Sequence, residues 1–252
     1  MKTQKLGIKT QDGVCDSFVA YPDEGRQYPA VLLLMDAFGP RDYLYEMAKT
    51  IAARGYYVLL PNLFYRVRPA PVIQTKFPIT AETHAAAVQE IMPLFPTLPP
   101  ELAVRDIGVY FDFMAAQKQV LAGKVAMTGY CLGGSLAIRA AAQYPERIAA
   151  AASFHAGNLA SDAANSPHLQ LNQIKAELYI AHADNDRSMP AEQIKRLKKA
   201  LEQSDLRYEM EVYEGAVHGF TMADLPAHNE AALERHWEKL FALLERSFSA
   251  DQ

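Results

Sequence analysis

The 252-residue sequence predicts an α/β fold: one doubly wound, mostly parallel sheet flanked by helices. Short apolar runs, long enough for buried strands, alternate with segments whose apolar residues recur at helical spacing. Polar clusters follow several of these runs, at the carboxyl ends of strands, where open α/β sheets bind ligands. A chain of this length can bury a sizeable core, so we predict a single domain over residues 1–252.

Composition restricts the class of protein. Half of the residues are hydrophobic and 21% are charged, which is typical of a globular chain, and a net charge of −4 argues against a nucleic-acid surface. No apolar run reaches the length of a membrane span, and Met1–Lys5 leads into no signal-peptide segment. Cys15 and Cys131, the only cysteines, provide no disulfide framework, which fits a cytoplasmic protein. From the charge and hydropathy we expect neither a membrane nor a nucleic acid as a partner.

The first part of the chain predicts a hairpin and then a strand–helix–strand unit. Its predicted elements are strands Leu6–Thr10 and Val14–Tyr21, strand Pro29–Met35, a helix from about Asp42, and strand Tyr56–Leu60. Asp12-Gly13 is a hairpin signal, Asp42 is the expected N-cap, and Gly55 ends the helix. Because a crossover helix joins the last two strands, we expect them to pair in parallel.

Residues 66–100 contain seven prolines and break this alternation. One helix is predicted there, from Ala81 to Met92 with Thr80 as its cap. We interpret the stretch as an excursion over the carboxyl edge of the sheet, where it forms either a candidate lid or a plain surface crossover.

The remainder of the chain continues the alternation of helices and strands. Its predicted elements are helix Glu101–Gln117, strand Val125–Met127, helix Ser135–Ala142, strands Ile148–Phe154 and Glu177–Ala181, a helix opened by Ser188 and Pro190, strand Tyr208–Tyr213, and helix His228–Phe248. The apolar stripe of the last helix is expected to consist of Leu233, Trp237, Leu240, Phe241, Leu244 and Phe248.

A possible nucleophile stands between the predicted strand at Val125–Met127 and the helix after it. Gly129, Cys131 and Gly133 form a Gly-x-Cys-x-Gly pattern, and a strand, sharp turn and helix around such a pattern make a nucleophile elbow. The turn would expose the sulfur at a helix N-terminus, where N–H groups and the dipole favour a thiolate. The alternative is that Cys131 is a small core residue in a glycine-rich loop.

Cys131, Asp186 and His218 follow one another in the order nucleophile, acid, histidine. Nucleophilic catalysis requires these residue types: a thiol to attack, an imidazole to take and return its proton, and a carboxylate to fix the imidazole tautomer. His218 lies in a Gly-flanked loop after the last predicted strand, from which it can reach across the sheet edge.

Several motifs together resemble the dienelactone hydrolase family, the carboxymethylenebutenolidases. The matching stretches are the elbow Gly129–Gly134, Asp186 with Pro190, His218-Gly219-Phe220, Asp36-Ala37-Phe38-Gly39 and Leu60–Arg66, in the family's order between about residues 5 and 247. The resemblance implies an α/β-hydrolase fold and cleavage of a small ester or lactone through a cysteine thioester. It implies no cofactor, and we expect a monomer or a small homo-oligomer.

The same resemblance assigns roles to individual residues. It favours Asp186 over Asp184 as the acid, because Asp-x-x-x-Pro matches the family's loop. It places an oxyanion hole at the backbone N–H groups of Leu132 and Ala37. Asp36 and Arg66 would serve in thiol activation and substrate binding.

Two departures from the family concern substrate charge and the thiol. Asp36 replaces the longer Glu of members that act on dienelactone, and Met222 replaces a second substrate-binding arginine. We expect Asp36 to disfavour the Cys131 thiolate by repulsion until substrate draws Asp36 towards Arg66. The alternative is that Asp36 caps the turn at Gly39 and never meets the sulfur.

Two further interpretations concern the remaining histidines and the thiol. His155, His168 and His182 with Asp184 lack metal-ligand spacing, so we expect no metal site and treat these residues as strand-end or supporting hydrogen-bonders. An exposed Cys131 could also mark a redox sensor, and a hydrolase-like chain could bind a ligand without turnover.

Overall fold

In a computed structural model, residues 1–249 form eight strands and six α-helices; residues 250–252 of the predicted domain lie outside this description. The strands are β1 (Lys2–Thr10), β2 (Gly13–Tyr21), β3 (Ala30–Leu34), β4 (Tyr57–Pro61), β5 (Val125–Tyr130), β6 (Ile148–Phe154), β7 (Glu177–Asn185) and β8 (Tyr208–Val217). The helices are α1 (Asp42–Ala52), α2 (Ala81–Ile91), α3 (Pro100–Ala115), α4 (Leu132–Gln143), α5 (Ala191–Glu202) and α6 (Glu230–Ser249).

The strand order of the sheet is β1-β2-β4-β3-β5-β6-β7-β8. β2 runs antiparallel to both β1 and β4, and the β1–β2 turn is the predicted Asp12-Gly13 hairpin. β3 pairs with β4 in parallel, as do β6 with β7 and β7 with β8. The prediction of a mostly parallel sheet with flanking helices is confirmed.

The chain divides into two compact units. Residues 1–125 with 224–226 form the N-terminal unit, and residues 126–223 with 227–249 form the C-terminal unit. No helix in the described part of the chain combines the length and hydrophobicity that crossing a bilayer requires.

In the N-terminal unit, α1 buries the face that its spacing predicts. The buried residues of this helix are Leu44, Met47, Ala48, Ile51 and Ala52. The expectation that Asp42 is the N-cap is wrong: the cap position belongs to Arg41, whose backbone is extended. Asp42 instead occupies the first turn, where its negative charge interacts favourably with the positive end of the helix dipole.

The proline-rich stretch contains the predicted helix and little other regular structure. α2 begins after Thr80, whose side chain forms a reciprocal capping box with Thr83. A short 3₁₀ helix (Met92–Thr97) then leads to α3. Whether residues 66–100 act as a lid stays a prediction.

In the C-terminal unit, α6 buries half of the predicted stripe, namely Leu240, Phe241 and Leu244, and also turns His236 inward. Leu233 and Trp237 are only half-buried, whereas His236 is fully buried and its Nε2 lies 2.8 Å from the Tyr130 hydroxyl. Trp237 stacks on Phe241 instead, with ring centroids 5.4 Å apart. A hydrogen bond within the core thus accounts for an inward histidine that hydrophobic spacing does not predict.

Candidate active site

The turn between β5 and α4 has the geometry of a nucleophile elbow. Cys131 stands between the two elements with φ 55° and ψ −119°, a backbone conformation that residues other than glycine rarely adopt. The chain closes so tightly that a Cβ atom at Gly129 would lie 2.1 Å from the Gly133 carbonyl oxygen. A glycine is therefore required at residue 129, as the pattern predicts.

Cys131 is a free, half-buried thiol immediately before the first residue of α4. Its backbone N–H donates to the carbonyl of Phe154, the last residue of β6, at 3.0 Å. The N–H of Leu132, in the first turn of α4, has no carbonyl partner within the helix. The elbow thus places a thiol beside a helix N-terminus.

Asp186 and His218 form a short hydrogen bond. His218 Nδ1 lies 2.7 Å from Asp186 Oδ2, and the Asp186 side chain is 2% exposed against 36% for His218. The two residues are supplied by the loop after β7 and the loop after β8. Because Nδ1 is held by the carboxylate, Nε2 is the ring nitrogen left to face a reacting group.

Ser188 fixes the Asp186 carboxylate from the other side, a contact that the sequence analysis did not identify. Its backbone N–H and its hydroxyl both donate to Asp186 Oδ1, at 2.8 Å and 2.6 Å. The Ser188 hydroxyl also lies 3.3 Å from His218 Nδ1. The only sequence signal for this contact is a serine two residues after the acid, a spacing typical of an Asx turn.

The charges around His218 favour its protonated form. Burial lowers the pKa of His218, but the charge of Cys131 and hydrogen bonds to Asp186 and Cys131 outweigh it and raise that pKa to about 10. Burial has the opposite effect on Asp186 and raises its pKa, but hydrogen bonds from His218 and Ser188 outweigh burial and bring this pKa below its ordinary value. The arrangement therefore holds a proton on His218, between a carboxylate and a sulfur.

Asp184 has a separate environment from Asp186. Its Oδ2 accepts a hydrogen bond from the Gly215 N–H at 3.2 Å, and its side chain is exposed. Of the two carboxylates weighed for the acid, only Asp186 contacts His218 in this structure.

The three other histidines singled out by sequence take different places. His155 is buried beside His218 with Nε2 2.7 Å from the Thr221 hydroxyl, and His168 Nδ1 lies 2.9 Å from the Ser166 hydroxyl. His182 is 1% exposed, and burial lowers its pKa to about 4. Residues 1–249 contain no group of His, Cys, Asp and Glu side chains suited to hold a metal ion.

Asp36 caps its own turn and binds Arg41, both within the N-terminal unit. Asp36 Oδ1 accepts from the Phe38 N–H at 3.0 Å, and its carbonyl accepts from the Gly39 N–H at 3.2 Å. The Arg41 guanidinium donates hydrogen bonds to both carboxylate oxygens of Asp36, at 2.7 Å and 2.8 Å. The turn-capping alternative describes this geometry, and Asp36 forms an ion pair with Arg41 that the sequence did not predict. The movement of Asp36 towards Arg66 on substrate binding stays a prediction.

Arg41 also binds a second carboxylate, which the sequence analysis missed. Its Nε donates to Asp224 at 2.6 Å, and its side chain is 4% exposed. Burial lowers the pKa of Arg41, but the charges of Asp36 and Asp224 outweigh it and hold that pKa above its ordinary value. Nothing local signals the Asp224 contact, because 183 residues separate the two partners.

Arg66 is held by carboxylates of the N-terminal unit. It lies 2.8 Å from Asp12 and 2.6 Å from Asp106, which is 2% exposed and also accepts from the Tyr65 hydroxyl. Its side chain is 15% exposed. Met222, at the position of the family's second arginine, is fully buried. The expected role of Arg66 in substrate binding therefore competes with two ion pairs.

Comparison with known proteins identifies one family of similar sequences. The sequence model of the Dienelactone hydrolase family matches residues 15–248. A carboxymethylenebutenolidase from Rhodococcus opacus is 26% identical over 220 residues, which cover 86% of this chain and 80% of the relative.

Solved structures show the same fold. A dienelactone hydrolase-like promiscuous phosphotriesterase from metagenomic libraries has a TM-score of 0.75 at 20% identity, covering 97% of this chain and 98% of its own. The α/β hydrolase GrgF from Penicillium sp. sh18 has a TM-score of 0.70 at 13% identity and covers 99% and 100%. At these identities the likeness establishes the α/β-hydrolase fold.

Proposed function

Because the chain belongs to the dienelactone hydrolase family, we propose that it hydrolyses a small ester or lactone through a thioester formed on Cys131. The observation that carries the proposal is the 2.7 Å contact of His218 with Asp186, together with the influence of Cys131, which helps to raise the pKa of His218. A thiol, an imidazole and a carboxylate in contact in this order can perform nucleophilic acyl transfer.

In the first half-reaction the Cys131 thiolate attacks the substrate carbonyl carbon, and a C–S bond forms as the carbonyl π electrons move to oxygen. We assign the N–H groups of Leu132 and Ala37 to this oxyanion, the latter on the family resemblance alone. When the carbonyl re-forms, the C–O bond to the leaving group breaks. His218 gives its proton to the departing alkoxide, which in a lactone stays attached to the acyl group.

In the second half-reaction water attacks the thioester. Neutral His218 takes a proton from the water as its oxygen bonds to the acyl carbon, and the C–S bond then breaks to release the acid and the Cys131 thiolate. Asp186 keeps the His218 ring in one tautomer and favours its imidazolium form throughout. Cys131, His218 and water account for every bond and proton, so we propose no cofactor.

The test is a rapid-mixing measurement with p-nitrophenyl acetate. We expect a burst of one p-nitrophenol per chain and, after acid quench, one acetyl group on the peptide that contains Cys131. Cys131→Ala should abolish both, whereas Cys15→Ala should abolish neither, because Cys15 is fully buried and burial raises the pKa of its thiol to about 11.

The rival functions give different results in the same experiment. A redox sensor would form sulfenic acid at Cys131 under peroxide and show no acetylation. A ligand-binding protein would show neither modification. The proposal is wrong if wild-type protein gives no burst and no acetyl-Cys131 with any of a panel of small esters and lactones that includes cis-dienelactone.

A further inference from the structure

One short segment of the C-terminal unit contacts the loops that carry the proposed triad. This segment, the β6 loop, comprises residues 155–158 and follows directly after β6. Two of its four residues, His155 and Asn158, have positive φ without being glycine, at 41° and 54°. Backbone strain of this kind persists only where surrounding contacts enforce it.

On the acid side, the β6 loop packs directly against Ser188. The Asn158 N–H donates to the Ser188 carbonyl at 2.8 Å. A Cβ atom at Gly157 would lie 2.5 Å from the Ser188 hydroxyl oxygen, so any side chain at residue 157 would displace the Ser188 hydroxyl. Because that hydroxyl holds Asp186 Oδ1, the β6 loop fixes the position of the acid through Ser188.

On the histidine side, His155 packs against the loop that follows β8. Its ring packs edge to face with the rings of His218 and Phe220, at centroid distances of 5.3 Å and 5.0 Å. Its Nε2 lies 2.7 Å from the hydroxyl of Thr221, which is fully buried. The contacts at Phe220 and Thr221 hold the chain on the far side of His218.

His155 is an uncharged ring in this position. Burial lowers its pKa well below the ordinary value; the charges of His218 and His236 add to this shift, and that of Asp186 opposes it. His155 Nδ1 has no hydrogen-bond partner among residues 1–249, so a second ring proton would be buried without an acceptor. A neutral His155 can pack on His218 without competing for its proton.

We propose that His155 and Thr221 are positioning residues, which act through His218 by holding its imidazole between Asp186 and Cys131. The proposal rests on the proposed function for its kinetic consequence, but the placement of His218 beside the sulfur can be measured without any ester. Neither side chain contacts a reacting atom in the steps given above.

The test compares Thr221→Val, which removes the hydroxyl at nearly constant shape, with Thr221→Ser, which keeps it. Two quantities are measured: kcat and KM for p-nitrophenyl acetate, and the pH dependence of iodoacetamide modification at Cys131, followed by mass spectrometry of its peptide. Thr10→Val is the matched control, because Thr10 is also buried and its hydroxyl lies 2.7 Å from the Tyr65 hydroxyl in the N-terminal unit.

We expect Thr221→Val to lower kcat by roughly 10- to 100-fold with KM within about twofold, because a misplaced base is lost mainly from the transition state. The midpoint of Cys131 alkylation should move to higher pH, since a displaced His218 stabilises the thiolate less. Thr221→Ser should restore both quantities, and Thr10→Val should change neither. His155→Phe, which keeps a ring but removes Nε2, should reproduce the effects of Thr221→Val.

A wild-type alkylation profile and kcat in folded Thr221→Val and His155→Phe would overturn the proposal. A loss of kcat without a shift in alkylation, and without rescue by Thr221→Ser, would also overturn it, because a general packing defect gives that pattern. If wild-type protein hydrolyses no ester but the alkylation midpoint still shifts in Thr221→Val, the positioning role stands and the proposed function fails.

Discussion

Asp186 and Asp36 are both buried carboxylates close to the carboxyl ends of strands, and they differ in the cation that each one meets. Asp186 binds the imidazole of His218, a base that can gain and lose a proton and whose pKa is raised here to about 10. Asp36 binds the guanidinium of Arg41, which does not release its proton in proteins. A carboxylate beside a titratable base can tune proton transfer, whereas one beside a fixed cation serves mainly to hold structure.

Replacing Asp186 should have the largest effect on activity. Asp186→Asn keeps the shape but favours the wrong His218 tautomer, and the equivalent change in a serine protease lowers kcat by about 10⁴-fold. We expect a loss of roughly 10³- to 10⁴-fold in kcat for p-nitrophenyl acetate. Asp184→Asn is the matched control and should cost little, because Asp184 binds only the Gly215 N–H in this structure. The opposite ranking would reassign the acid to Asp184.

Replacing Arg41 tests the structural side of the comparison. Arg41→Met leaves Asp36 and Asp224 buried without their cation, which typically costs about 3–5 kcal/mol of unfolding free energy. Urea denaturation measures the loss, and Asp36→Asn in the same chain should recover part of it. Arg26→Met is the control, since the Arg26–Glu24 pair is exposed and worth at most about 1 kcal/mol. Equal costs at Arg41 and Arg26 would contradict a stabilising role for the buried cluster.

The smallest expected effect concerns Arg66 and substrate charge. Because Asp12 and Asp106 already neutralise Arg66, we expect Arg66→Ala to change KM for a carboxylate-bearing lactone and for a neutral ester by the same factor, within about twofold. Steady-state kinetics on the two substrates provide the comparison. A KM that rises selectively for the anionic lactone would return Arg66 to substrate recognition.

Local signals in the sequence predicted the features that depend on backbone geometry. The Gly129-x-Cys131-x-Gly133 spacing predicted the tight turn, whose steric contacts require a glycine at residue 129. Hydrophobic spacing likewise predicted the buried face of α1. The Cys131 turn conformation and the Asp186–His218 contact are thus structural observations, while the catalytic role of the three residues is the proposal.

Contacts between distant polar residues were not predictable in the same way. Arg41 and Asp224, like His155 and Thr221, meet only after the chain has folded, and no periodicity relates their positions. The Arg41–Asp36 ion pair was likewise not predicted, although only five residues separate the two partners in the chain.

The dihedral angles of Cys131 also have a consequence for stability. A residue with a side chain at φ 55° and ψ −119° is strained by about 1–3 kcal/mol, whereas glycine adopts such angles freely. The thiol is thus held at the elbow at a standing cost in backbone strain, which a glycine at residue 131 would not carry.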